Sequence, residues 1–468
     1  MAWRCCSPDG GRVADRPPIT DPFAVPPSPP QRRRTTASAP VTAPVAAAPD
    51  EAPAATATAD ASPPLPTAQL ARTPHVIDSR DDYLAAVAEL AAASGPVAVD
   101  AERASGFRYS QRAYLIQVFR RGAGTFLFDP PAIGSFAELQ ATIGAEEWVL
   151  HAASQDLPCL REVGLEPASL FDTELGARLA GMPRVGLGAV VEDTLGLHLA
   201  KEHSAADWST RPLPAAWLTY AALDVELLLD VRDRIAERLV AAGKSVIAAE
   251  EFAAVLAKPA AEPKAEPWRR LSGISTVRGQ RALAVARELW RARDAYAQEV
   301  DTSPGRLLPD ASIVAAARAT LASKRELAAL KTFMGRASRT QIDRWWAAIE
   351  VGLATDDLPA HRSSEESIPP PRSWADRSPE ADRRYRAVRP RLQQIADELE
   401  LPVENLLTPE HVRRLAWAPP AETTPESIAD ALAAIGARRW QIDATAQAIA
   451  DAFVEALQEP DEAPEAGS

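Results

Sequence analysis

The sequence predicts an α/β domain with a mixed sheet flanked by helices, followed by two all-α domains. Between about residues 72 and 250, short apolar runs separated by polar or glycine-bearing turns alternate with segments of helical periodicity. Beyond residue 268, apolar residues recur at helical spacing. A chain of 468 residues also exceeds the size at which a single core keeps growing. We therefore expect several domains.

The elements of the α/β domain are predicted in chain order. A helix is expected at 81–90, because acidic residues precede an alanine- and leucine-rich stretch. Strands are expected at 96–102, 113–119, 125–128 and 148–152, where β-branched and aromatic residues cluster. Helices are expected to dominate from there to residue 239. Antiparallel opening strands followed by alternation of strand and helix indicate a mixed sheet.

Composition changes along the chain predict the domain boundaries. The first 71 residues are rich in proline and alanine and have too few large apolar residues to offset the entropy of ordering. The predicted divisions are a disordered tail at 1–71, the α/β domain at 72–250, a linker at 251–267, a helical domain at 268–352, a linker at 353–373, a second helical domain at 374–458 and a disordered tail at 459–468.

Acidic residues at three places in the α/β domain are candidates for one site. Asp100 and Glu102 share a face of one strand, because side chains alternate along a strand. Asp156 follows another predicted strand. Tyr220 and Asp224 lie four residues apart in a helical stretch and therefore on one helical face. Taken singly, each acid is best explained as a cap or a solvated charge, but together they indicate a site.

Closely packed carboxylates repel each other unless a cation neutralises them, and hard divalent cations prefer oxygen ligands. Two such ions about 4 Å apart stabilise the attacking and leaving oxygens of an in-line phosphoryl displacement. The pattern therefore predicts a metal-dependent reaction at a phosphodiester.

These motifs resemble those of the DEDD exonucleases, in the subclass with tyrosine in the third motif, and within it the ribonuclease D family. The resemblance covers about residues 72–250 and implies a ribonuclease H-like fold. Residues 287–294 and 304–310 resemble the HRDC domain, and 374–458 resembles the second, divergent HRDC-like unit of that family. The matching segments are 100–102 for the first motif, 151–157 for the second, 171–173 with 180–181 and 207–214 between motifs, and 220–224 for the third.

The resemblance implies a two-metal-dependent 3′-5′ exoribonuclease that releases nucleoside 5′-monophosphates. Asp100, Glu102, Asp156 and Asp224 would hold two Mg²⁺ or Mn²⁺ ions, and Tyr220 would orient the attacking water. The expected partner is RNA with a free 3′ end, tRNA precursors among them. A 3′-5′ DNA exonuclease and a catalytically silent RNA-binding scaffold are the alternatives.

Further polar residues near the motifs have two possible roles each. Lys201 and Arg211 are expected either to contact substrate phosphates or to pair with Glu202 or Asp207. Gln117 matches a glutamine that is common in the family's second strand, and it either contacts substrate or satisfies a backbone group. His151 is expected to be a hydrogen-bonded histidine rather than a ligand, and Asp172 is expected to be a helix cap.

Charge and hydropathy narrow the possible partners and location. The net charge of −13 discourages nonspecific binding to polyanions, yet residues 268–348 contain fifteen arginines and lysines against seven acids. No apolar run is long enough to span a bilayer, and no hydrophobic signal segment is evident at the amino terminus. These features predict a cytoplasmic protein that uses the basic helical domain to approach RNA. Three cysteines provide neither a disulfide framework nor a zinc site.

Overall fold

The computed structural model describes residues 65–200, 203–260, 262, 264–361 and 368–458. The tails predicted at 1–71 and 459–468 therefore lie outside the described residues, apart from 65–71. Within the described part, residues from 65 onward belong to one compact unit. No helix in these ranges combines the length and apolar character that crossing a membrane requires.

A six-stranded mixed sheet forms the first domain, as predicted. The strand order is β1-β4-β3-β2-β5-β6, with β2, β3 and β4 antiparallel and the β1–β4, β2–β5 and β5–β6 pairs parallel. The strands are β1 (Val76–Ile77), β2 (Val97–Arg103), β3 (Ala113–Arg120), β4 (Gly124–Phe128), β5 (Glu147–Leu150) and β6 (Ser169–Asp172).

Nine helices in the described residues surround this sheet. They are α1 (Arg80–Ala92), α2 (Pro130–Ile133), α3 (Ala137–Ile143), α4 (Leu157–Glu162), α5 (Thr173–Leu179), α6 (Leu187–Leu195), α7 (Ala215–Glu226), α8 (Leu228–Ala241) and α9 (Ser245–Ala257). The last helix continues past residue 250, and Phe252 packs on Phe171 of β6 with ring centroids 4.8 Å apart. The linker expected at 251 therefore begins only after Ala257.

The two faces of the sheet bury different cores. One face contributes Val97, Val99 and Ala101 of β2 to the larger cluster, with Tyr83 of α1 and Trp148 of β5. The other face packs against α7, and there the sequence places small side chains toward the strands, Ala221 and Ala222. Because these alanines let the helix approach β2 closely, polar side chains on α7 reach the end of β2.

The second domain consists of helices packed around tryptophan and leucine side chains. Its helices are α10 (Gln280–Glu299), α11 (Pro304–Leu307), α12 (Asp310–Arg318), α13 (Lys324–Ala329), α14 (Arg336–Thr340) and α15 (Ile342–Ala354), preceded by 3₁₀ turns at Pro267–Arg270 and Ile274–Thr276. Helices α10 and α15 approach closely at Gly352, where a Cβ would lie 2.6 Å from the Val285 Cα. Ser323 caps α13, because its side chain accepts from the Glu326 N–H.

The third domain is also helical, as predicted. Its elements are a 3₁₀ turn at Pro371–Ser373 and the helices α16 (Trp374–Arg377), α17 (Pro379–Glu398), α18 (Val403–Leu406), α19 (Pro409–Trp417), α20 (Pro425–Ala434) and α21 (Arg439–Gln458). It contacts the first domain where Glu251 of α9 pairs with Arg438 and accepts from the Trp440 indole N–H at 2.9 Å.

Candidate active site

Three elements place the five predicted residues around one cavity of about 600 Å³. Asp100 and Glu102 come from β2, Asp156 precedes the first turn of α4, and Tyr220 and Asp224 come from α7. The predicted strand and helix spacings explain each pair locally. The packing of α7 on β2 then brings the two pairs together.

The carboxylates form a compact group of oxygen donors. One ligand atom from each of Asp100, Glu102 and Asp224 lies within 4.8 Å of the other two. Asp156 lies outside this group of three among the described residues, but it lines the same cavity. An all-oxygen set of this kind fits hard divalent cations better than zinc or copper, which prefer nitrogen or sulfur.

Burial makes these charges costly in the absence of a cation. Burial, with the added charges of Asp100, Asp224 and Asp156, raises the pKa of Glu102 to about 10. Burial likewise raises the pKa of Asp156 and Asp224 well above the usual range, and the Asp100 charge adds to both effects. The cavity therefore holds protons tightly until positive charge replaces them.

Tyr220 stands beside the carboxylates with its hydroxyl protonated. Burial and the neighbouring charges of Asp224 and Glu102 raise the pKa of this phenol. Its ring lies near that of Trp208, with centroids 6.5 Å apart, and Trp208 also packs on Trp217 at 5.2 Å. Trp208 is fully buried, so it gives the tyrosine ring a fixed surface to pack against.

His151 and Asp172 occupy the positions that the sequence predicts. His151 lines the cavity, and its Nδ1 lies 2.9 Å from the Thr173 Oγ1. Burial lowers the pKa of His151 to about 4, so the ring is neutral near pH 7. Asp172 caps α5, accepting from the backbone N–H groups of Glu174 and Leu175.

Arg103 is a cavity residue that the sequence analysis missed. A register irregularity between Glu102 and Arg103 interrupts the regular pairing of β2 with β3. Arg103 lines the cavity next to Glu102, and its charge lowers the pKa of Asp100, Glu102 and Asp156, whereas an unbroken strand would point residues 102 and 103 to opposite faces. Arg103 is the one cationic side chain among the described lining residues, and it makes no ion pair with any described acid. Regular alternation along a strand would place Arg103 on the face opposite Glu102, so the sequence alone does not predict it as a cavity residue.

Arg211 is the first residue predicted to contact substrate. It is held by Asp129 through Nε at 2.6 Å and Nη2 at 3.0 Å, and its guanidinium also donates to the Tyr114, Trp208 and Thr210 carbonyls. Its described acidic partner is therefore Asp129 rather than Asp207, and its contact with a substrate phosphate stays a prediction.

Gln117 is the second residue predicted to contact substrate. It is fully buried on β3, opposite Asp100, and its side-chain amide has no hydrogen-bond partner among the described residues. It is not among the residues that line the cavity, and its contact with a substrate stays a prediction. Lys201 lies outside the described residues.

Family models match all three domains. Residues 74–240 match the 3′-5′ exonuclease family and residues 282–349 match the HRDC domain. Residues 367–453 match the 3′ to 5′ exonuclease C-terminal domain.

Curated relatives agree with these models. Ribonuclease D of Acidiphilium cryptum is 35% identical over 233 residues, which cover 47% of this chain and 58% of that protein. Ribonuclease D of Escherichia coli is 31% identical over 227 residues, which cover 47% of this chain and 60% of that protein. The matches thus span less than two thirds of these relatives' length.

Solved structures show the same architecture. A crystal structure of a protein from Bifidobacterium adolescentis is 37% identical with a TM-score of 0.76, covering 84% of this chain and 100% of that one. The catalytic core of RRP6 from Trypanosoma brucei is 25% identical with a TM-score of 0.55, covering 62% and 83%. Escherichia coli RNase D shares the fold, with a TM-score of 0.60 at 23% identity over 83% and 99% of the two chains. Together, these matches show a 3′-5′ exonuclease domain at 74–240 and an HRDC domain at 282–349, in a chain that is similar to proteins named ribonuclease D.

Proposed function

We propose that this protein is a 3′-5′ exoribonuclease that hydrolyses the terminal phosphodiester of RNA and releases nucleoside 5′-monophosphates. The observation that carries the proposal is the convergence of four carboxylates and a tyrosine in one cavity. The cavity volume of about 600 Å³ lies within the range of sites that bind ligands of nucleotide size. The match to the 3′-5′ exonuclease family supports degradation from the 3′ end.

The residues that would hold two divalent cations, Mg²⁺ or Mn²⁺, are Asp100, Glu102, Asp156 and Asp224. Their oxygen-only chemistry and raised pKa values support this role. When bound, such ions would neutralise the carboxylates, acidify a water and offset charge on the phosphoryl group.

Tyr220 is proposed to orient the attacking water by hydrogen bonding. Burial and the charges of Asp224 and Glu102 raise its pKa, which favours the neutral phenol over a phenolate base near neutral pH. Its hydroxyl hydrogen-bonds to Asp224, and its ring lies near the buried Trp208, with centroids 6.5 Å apart. Tyr220 would therefore position the attacking water, while the bound cations would acidify that water.

Arg103 is proposed to bind a phosphate oxygen of the substrate. Its guanidinium lines the cavity without an ion-pair partner in the described part of the chain, so its donors are available. A guanidinium fork matches phosphate geometry and remains charged at any working pH. The arginine would thus attract the phosphodiester toward a cavity that is otherwise acidic.

RNA is proposed to extend from the cavity to the second domain. Six basic side chains of that domain are exposed and make neither an ion pair nor a hydrogen bond with other described residues, so they are available for phosphate contacts. They are Arg270, Arg278, Arg318, Arg325, Lys331 and Arg336. Escherichia coli RNase D is an exoribonuclease involved in structured RNA processing, which supports RNA with a free 3′ end, such as tRNA precursors, as the substrate.

We also propose domain limits and a cellular location for this protein, both inferred from the sequence. The domain limits are about 72–257, 268–352 and 374–458, with the first limit moved to the end of α9. The location is the cytoplasm. Neither point is needed for the activity test.

The test uses 5′-labelled RNA and DNA of one sequence with the full chain. We expect a ladder shortening from the 3′ end of RNA and release of 5′-monophosphates with Mg²⁺ or Mn²⁺, abolished by a chelator. Asp100→Ala should remove the activity, whereas the exposed-acid variant Asp343→Asn should retain it. Equal or faster shortening of DNA would replace the RNA assignment by the DNA alternative. Undiminished activity of Asp100→Ala would overturn the proposed site.

A further inference from the structure

The segment that follows β2 connects the cavity with the second domain. It spans residues 104–112 and is called the bridging segment below. Ser105 and Gly106 in this segment line the cavity, two and three residues after Arg103. Its own backbone supplies little support, chiefly the bonds from the Phe107 and Arg108 N–H groups to the Ala104 carbonyl. Its conformation therefore depends on what it contacts.

The start of α11 and the residue before it hold one end of the bridging segment. Arg306 donates from Nε to the Gly106 carbonyl at 2.7 Å, and its guanidinium lies 4.0 Å from the centroid of the Phe107 ring. The Ser303 N–H donates to the Phe107 carbonyl at 2.9 Å. Two consecutive carbonyls of the segment are thus satisfied by the second domain.

Asp301 holds the other end. Its Oδ1 accepts from the Ser110 N–H at 2.9 Å, its Oδ2 accepts from the Tyr114 hydroxyl at 3.3 Å, and Arg112 lies 3.8 Å away. The residue has a positive φ of 42°, a conformation that aspartate and asparagine tolerate better than most residues. Its backbone geometry and its side-chain contacts therefore both suit this one role.

The bridging segment also touches the opposite wall of the cavity. Arg108 donates from Nε to the Ser209 Oγ at 2.8 Å, and the Ser209 hydroxyl in turn donates to Asp207 at 2.5 Å. Residues 204–206, just before this pair, line the cavity. Contacts from the second domain are therefore transmitted to two walls of the site, at the end of β2 and at residues 204–209.

We propose that the second domain positions the active site through Asp301 and Arg306, by holding the bridging segment in the conformation that catalysis requires. This inference rests on the proposed exonuclease function and adds a role that is separate from RNA binding. Asp301 and Arg306 are positioning residues, because they act through the segment and touch no reacting atom. The role should apply even to substrates too short to reach the second domain.

The test compares two substrates of different length with the full chain. A dinucleotide reaches only the cavity, whereas a 20-nucleotide RNA also reaches the basic surface. We expect Asp301→Ala and Arg306→Ala each to lower kcat for both substrates about 10-fold or more, because small misplacements of reacting groups are costly. KM for the dinucleotide should change less than kcat. Asp343→Asn, an exposed acid of the same domain, is the matched control.

Asp301→Asn and hydrogen exchange separate positioning from loss of folding. Asparagine tolerates the positive φ and keeps an oxygen for the Ser110 N–H, so this variant should recover most of kcat. In Asp301→Ala, exchange should accelerate at residues 105–112 while α10 and α15 remain protected. Wild-type kcat on the dinucleotide in Asp301→Ala, or unchanged exchange in the segment, would overturn the inference. A wild-type protein that degrades neither RNA nor dinucleotide would instead refute the proposed function.

Discussion

Among the residues that the structure describes, buried ionisable side chains lack ion-pair partners in the exonuclease cavity but have them in the second domain. Glu102, Asp156 and Asp224 are each less than one-tenth exposed and pair with no described cation. In the second domain, the equally buried Arg287 contacts Glu288 and Asp357, and Arg293 contacts Asp310. One region leaves its charges without partners, and the other supplies a partner for each.

The difference separates function from stability. A buried charge without a partner costs folding free energy, so it persists where a ligand supplies the opposite charge. A buried charge with a partner is roughly neutral as a pair and becomes costly only when one member is removed. Variants of the two groups should therefore have opposite effects on stability.

The largest effect is expected for Glu102→Gln in the cavity. Activity should fall about 10³-fold, since a cation ligand is lost and such ions contribute several kcal/mol. The metal-free variant should nevertheless be more stable than the parent chain near pH 7, by about 1–3 kcal/mol, because the parent must take up a proton at the buried Glu102 on folding and glutamine needs none. Activity assays and calorimetry without metal measure the two effects. Glu237→Gln, an exposed pair member on α8, should show neither.

Arg293→Ala in the second domain should do the reverse. It removes the donor to the Leu308 carbonyl at 2.9 Å and the partner of Asp310 at 2.6 Å. We expect a loss of about 2–3 kcal/mol in the free energy of unfolding, less than for a fully buried pair because Asp310 is partly exposed. Urea unfolding with and without Mg²⁺ should give the same loss. A loss below about 0.5 kcal/mol would remove the distinction between the two regions.

The smallest effect is a pH dependence of the metal-free protein. The pKa of Glu102 is about 10 in the folded chain and 4.5 when unperturbed, so the folded state binds its proton more tightly. The resulting stability is complete below about pH 4.5 and is lost progressively as pH rises toward 10. The Tm should therefore fall by a few degrees between pH 5.5 and 8.5, and less in Glu102→Gln. An identical slope in the two proteins would show that another group is responsible.

Most of the fold follows from local patterns in the sequence. Helix α1 and strands β2 to β5 lie within a few residues of their predicted positions, because alternation and helical periodicity are local properties. Strand β6 was missed. It has four residues, and three of them are buried without alternation, so only its pairing with β5 defines it as a strand.

Site residues could be predicted where spacing along the sequence sets their position. They could not be predicted where contacts between distant parts of the chain set it. Asp100 with Glu102, and Tyr220 with Asp224, share faces that the strand and helix periods set. Arg103 depends on a break in strand register, and a single sequence does not reveal it. Arg211 meets Asp129, 82 residues away in the chain, and that partner emerges only from the folded structure.

The position of β2 has a consequence for how the protein acquires metal. The strand is paired with β3 along its length and with β5 at its start, so its backbone does not yield to repulsion between Asp100 and Glu102. Burial and repulsion instead raise the pKa of these carboxyl groups, so they bind protons more tightly. Protons and metal ions therefore compete for the same oxygens, and metal uptake releases protons. At limiting Mg²⁺, the enzyme should respond to small changes in pH as if they were changes in metal supply.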